Sequence, residues 1–106
     1  AVLDAMEMKM QKEARERRWA ELGPDTHGLF SETRALFAQI GKTILKKRGD
    51  DLLLSLATQT REAYQELGVN HEMYLNGLGT AQAFTMVIRV TLAHLREIEQ
   101  RLSSHP

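Results

Sequence analysis

The chain has 106 residues, is 42% hydrophobic, and balances 14 Lys and Arg against 14 Asp and Glu. This length suits one domain with one modest core, and a net charge of zero gives no general electrostatic case for nucleic acid or an anionic membrane as partner. The absence of cysteine removes disulfides, thiolate metal sites and a Cys nucleophile, no apolar run is long enough to span a membrane, and the charged N-terminus is unlike a signal peptide, so a cytoplasmic location is expected.

The first predicted helix runs from Ala1 to Leu22 and stops at Gly23-Pro24, where the proline disfavours helical geometry in the residue before it. It opens without Met, cap or breaker, as a cut through a longer helix would. Leu3, Met6 and Met10 form a heptad-like seam, and Glu13 and Arg17 take its next positions. A stripe that fades this way packs at one end and is solvated at the other. Residues 1–22 are either a helix lying partly on its own bundle or the end of an interdomain or dimerising helix.

Asp25-Thr-His-Gly28 reads as a connector, and the second helix is expected from a Ser31 cap to Lys47. Leu36, Phe37, Ile40, Ile44 and Leu45 make its buried face by their helical spacing. Lys46-Lys47-Arg48 fits the last turn, where cations oppose the helix macrodipole. Asp50 caps a third helix from Asp51 to Leu67, with Leu52 and Leu54 widening its apolar stripe and Gly68 as its stop. Asn70 is expected to cap a short fourth stretch, His71 to Asn76. The glycines of Asn76-Gly-Leu-Gly-Thr80 weaken the helix there, as a hinge in one long helix or, preferred, a break between two. From Thr80 or Ala81 to Ser103 the periodicity is strong through Phe84, Val87, Ile88, Thr91, Leu92, Leu95, Ile98 and Leu102. No segment alternates as a strand would. The fold class is therefore all-α, a single domain over 1–106 with four to five helices, those of 31–47 and 51–67 antiparallel.

No constellation of residues argues for catalysis. His27, His71, His94 and His105 are scattered, and His71-Glu72 lacks the second histidine of a zinc-protease helix. Asn76-Gly-Leu-Gly79 lacks the preceding strand and third glycine of a phosphate loop. Glu13 and Arg17 stand at i, i+4, a solvated pairing. No enzyme activity, cofactor or metal is expected. What stands out is a set of aromatic and methionine side chains: Trp19, Phe30, Phe37, Tyr64, Met73, Tyr74 and Phe84. Met and aromatic residues either pack a core or line an adaptable apolar pocket. Phe37, Phe84 and Met73 fit core packing, while Trp19 and Tyr74 fit it less easily.

Two stretches, Glu13-Ala-Arg-Glu-Arg-Arg-Trp-Ala-Glu-Leu-Gly23 and Gly49-Asp-Asp-Leu-Leu-Leu-Ser-Leu56 with Glu66-Leu-Gly-Val-Asn-His-Glu-Met-Tyr74, resemble the helical effector domains of TipA-class regulators. Those domains follow a MerR-type DNA-binding domain and its dimerising coiled coil. The resemblance covers about two-thirds of the chain. It departs from the family's Tyr…Asp-x-Arg-Phe signature, near whose place Ala81-Gln-Ala-Phe84 stands. It implies a globin-like helical bundle that binds a bulky apolar molecule such as an antibiotic. It further implies a role in transcription regulation, with DNA bound only through a domain absent from this chain. The seven residues above are then the expected ligand-binding set, with the glycine-hinged segment around Tyr74 ordered by ligand. The alternative is a non-catalytic interaction or dimerisation module, with a homodimer through the N-terminal helix.

Overall fold

The computed structural model describes all residues, 1–106, as four helices and no strand: α1 (Val2–Glu21), α2 (Pro24–Lys46), α3 (Asp51–Leu75) and α4 (Ala81–Ser103). The all-α expectation holds at its lower helix count. No helix is long and apolar enough to cross a membrane.

Helix α2 starts earlier than the sequence suggested. Pro24 occupies the first turn, where its missing N–H costs nothing, and Gly23 supplies the turn before it at φ 85°. Thr26, Phe30, Thr33, Phe37 and Ile40 then make one continuous buried stripe, so Asp25–Gly28 is helix and Ser31 lies inside it, not at its cap. Helix α3 is longer than expected for the same reason. Leu67 and Tyr74 are both buried seven residues apart on one face, and the backbone runs helically through Gly68. Asn70 caps nothing. Its amide donates to the Glu66 carbonyl one turn back.

The Asp50 cap is as expected, its Oδ1 accepting from Leu53 N at 2.8 Å. Helix α4 is capped by Thr80, whose Oγ1 accepts from Ala83 N at 3.0 Å. Between α3 and α4 the chain breaks at the two glycines, Gly77 at φ 88° and Gly79 at φ 82°, a left-handed geometry that other residues enter at a cost.

Helix α4 is the spine. Phe84, Ile88, Thr91, Leu95, Ile98 and Leu102 are all buried at alternating four- and three-residue steps, with Leu92 buried beside them. Its partners fix the directions. Thr26 meets Thr85 and Glu32 meets Arg96, so α2 and α4 run parallel. Phe30 faces His71 and Phe37 faces Tyr64, so α2 and α3 are antiparallel, as expected. The far end closes where His105 Nε2 meets Asp50 Oδ2 at 2.6 Å and Lys47 Nζ donates to the His105 carbonyl at 2.8 Å. The Leu53 N–H first, and His105 after it, hold the Asp50 carboxyl below its usual range.

Three apolar residues are not where the spacing put them. Leu45 is 87% exposed, and Leu52 and Leu54 are also exposed. They flank stripes whose centres, Ile40, Leu53 and Leu56, already fill the space against α4. The seam of α1 also behaves oppositely to an ordinary amphipathic helix. Its charged end docks, through Arg15, Arg18 and Trp19, while residues 1–13 are exposed throughout. The molecule is accordingly long, 57 × 31 × 18 Å, with a radius of gyration of 17.1 Å against about 13 Å for a compact domain of this size.

Candidate functional site

The expected aromatic set separates into three places. Trp19, Phe30, Tyr74 and Phe84 join one cluster with His71, a residue outside that set. Trp19 stacks on His27 at 4.6 Å and meets Phe30 edge-on at 5.1 Å. Phe30 lies 4.8 Å from His71, His71 stacks on Phe84 at 5.8 Å, and Phe84 stacks on Tyr74 at 5.2 Å. This cluster joins the ends of all four helices. Burial among the rings lowers the His71 pKa below its ordinary value.

Tyr74 is core, 2% exposed. The sequence made it look misplaced because its hydroxyl needs a partner, and the partner comes from α1: Tyr74 Oη donates to the Arg18 carbonyl at 2.7 Å. Arg18 answers with Nε to the Tyr74 carbonyl at 2.9 Å and Nη2 to the Gly79 carbonyl at 2.7 Å, its guanidinium 4.0 Å above the Tyr74 ring. One turn earlier Arg15 donates to Asn76 Oδ1 at 2.9 Å and pairs with Glu72 at 3.0 Å. The Arg15 hydrogen bond holds the Glu72 carboxyl below its usual range. These contacts latch α1 to the end of α3 and to the glycine loop. Tyr74 is thus packed in the core with its hydroxyl engaged.

Phe37 and Tyr64 stand elsewhere, edge to face at 5.3 Å. They belong to an open groove of about 610 Å³ between α2 and α3, on the side away from α4. Phe37 is its floor and Tyr64, largely exposed, its wall. Ala38, Gly41, Ile44 and Leu45 complete the α2 side, and Ala57, Thr60 and Arg61 the α3 side, with Arg34 at one end. Small residues at 38, 41 and 57 keep the helices' facing surfaces low, and that is what leaves the groove open. A Cβ built on Gly41 would meet no atom within 4 Å. The groove continues past Arg34, Phe37 and Tyr64 into a smaller cavity of about 190 Å³ that reaches Phe30 and His71. The groove thus ends at the aromatic cluster.

Met73 is not in the groove. It lines a separate cavity of about 120 Å³ beside the cluster, together with Tyr74, Phe84, Leu78, Gly79 and Val87. Of the seven expected residues, then, two line the main groove, Phe30 touches its extension, and four lie elsewhere. Sequence reasoning missed Arg34, Arg61 and the small residues. A signal was present: Arg34-Ala-Leu-Phe37 and Arg61-Glu-Ala-Tyr64 share one spacing, which puts each arginine beside its aromatic residue on one helix face.

Among the side chains, no group of three or more His, Cys, Asp or Glu is gathered as a metal would need. Every buried side-chain polar atom has a hydrogen-bond partner. The groove therefore offers apolar surface, two cations and one phenol. No family model, no curated protein and no solved structure matches the chain.

Proposed function

We propose that this is the effector-binding domain of a bacterial transcriptional regulator, non-catalytic, in which a bulky apolar small molecule such as an antibiotic occupies the α2–α3 groove. The observation that supports this reading is the groove itself. Its volume, about 610 Å³, falls in the range of ligand sites, and its lining has their composition, apolar with a few convergent polar groups. Arg34, Arg61 and the Tyr64 hydroxyl favour a ligand with carbonyl or anionic groups along one edge.

The relay follows from α3. Its middle forms one wall of the groove and its C-terminal end holds Arg15 and Arg18 of α1. A ligand that spreads α3 from α2 moves the latch with it, because a packed helix shifts as a rigid element. Ligand then shifts the population of α1 orientations presented to a DNA-binding domain outside this chain.

The test is a thermal-shift screen of the domain against hydrophobic antibiotics and dyes, run on the natural chain and on Gly41→Leu. A ligand at a hundred times its dissociation constant stabilises by about 2–3 kcal/mol. The substitution places a side chain in open groove and removes a helix-interior glycine, so it is expected to fold at least as well and to lose the ligand response. Equal responses in both chains would move the site elsewhere.

A second reading, an interaction or dimerisation module, draws on a different observation, the exposed apolar seam of α1.

A further inference from the structure

The exposed arm of α1 and the open groove are complementary. The arm, Val2–Glu13, and the α2 wall of the groove, Arg34–Leu45, each advance by about 17 Å at helical rise. The arm exposes Leu3, Met6 and Met10 in one line. The groove offers a matching apolar line through Phe37, Gly41 and Ile44.

Laid antiparallel to α2 in a single register, the arm puts Leu3 level with Ile44, Met6 with Gly41 and Met10 with Phe37. The thioether of Met6 then falls where a glycine leaves room. The same register sets Glu13 level with Arg34. Continued across the α2–α3 pairing, which sets Phe37 opposite Tyr64, it brings Glu7 level with Arg61. Neither arginine has a carboxylate partner within its own chain, and neither does Glu7 or Glu13 have a cation. Shape, hydrophobicity and charge thus agree in one alignment.

The arm of the same chain is held away from this groove. Folding it back at Gly23 would break the Arg15 and Arg18 bonds to the end of α3 and the glycine loop, and the Tyr74 bond with them. We propose that the α2–α3 groove is filled by the Val2–Glu13 arm of a second copy of this chain, and reciprocally, in an arm-exchanged dimer. The contact is helix-in-groove, and it is isologous, so each chain gives an arm and receives one. The proposal does not rest on the effector reading, although a groove ligand and the arm would compete.

Charge reversal tests it, since Glu7 and Arg61 are both exposed and their substitution is expected to leave the fold intact. Sedimentation is measured across concentration for the natural chain, for Glu7→Arg, for Arg61→Glu, and for an equimolar mixture of the two variants. Each variant alone sets like charges together in both grooves and is expected to weaken dimerisation about tenfold or more. In the mixture each arm again meets an opposite charge, so heterodimers recover the natural affinity. A chain that stays monomeric to millimolar concentration overturns the proposal, as does dimerisation sensitive to Glu7→Arg but indifferent to Arg61→Glu, which would mean seam-to-seam pairing of arms. The ligand reading fails separately, on an absent thermal response, whatever the oligomeric state.

Discussion

His71 shows how one side chain ties the site to stability. It lies among Trp19, Phe30 and Phe84, half-buried and without a hydrogen-bond partner, with Glu72, Arg15 and Arg34 as the charges around it. Burial depresses its pKa below 6.5, so the folded protein resists protonating it while the unfolded chain does not. Between the depressed value and about 6.5 the unfolded state binds more protons, and stability rises with pH there. The contribution is therefore complete above about pH 6.5 and is lost as the pH falls toward the folded value. Urea midpoints between about pH 7.5 and 5.5 are expected to fall with acidification in the natural chain. The slope should flatten in His71→Phe, which keeps an aromatic ring against its neighbours. An unchanged slope would assign the acid sensitivity to other groups.

Glycine separates the elements that were legible in the sequence from those that were not. Gly77 and Gly79 were readable as a break because two glycines fall close together in Asn76–Thr80 and weaken the helix there, and both do take left-handed geometry. Gly68 was misread as a stop. A stop needs the left-handed turn, and here tertiary burial decides instead: Leu67 and Tyr74 on one face carry the helix through. Gly68 is exposed, and a Cβ on it would meet nothing within 4 Å. Gly68→Ala is thus expected to stabilise by about 1 kcal/mol, the helix-interior difference between the two residues. Gly79→Ala, at φ 82°, is expected to destabilise by about 1–2 kcal/mol. Paired urea melts give both numbers, and a loss at Gly68 would contradict an unstrained α3. The start of α2 was missed for a related reason. Pro24 ends a helix when read forward, yet it begins one when read as a first-turn residue, and the stripe from Thr26 to Ile40 chooses the second. Helix α4 needed no such arbitration, since its stripe is unbroken.

At the scale of the whole molecule, the proposed function depends on what two helices leave open between them. Periodicity on one helix reports which face is apolar, and so Phe37 was legible. It does not report the distance to a neighbouring helix, and so the groove was not. Nor did it show that Tyr74 spends its hydroxyl on α1. The result is a body built on α4, a groove on the opposite side, and a latch of Arg15, Arg18 and Tyr74 that joins the groove's α3 wall to the projecting α1. The most direct measurement is a backbone amide chemical-shift titration with the most stabilising apolar compound. Saturable shifts at Ala38, Gly41, Ala57 and Thr60, followed by smaller ones at Arg18 and Gly79, are expected if the groove binds and the latch transmits. Shifts confined to Leu78, Ala83 and Val87, or none at saturating compound, would contradict the groove as the site.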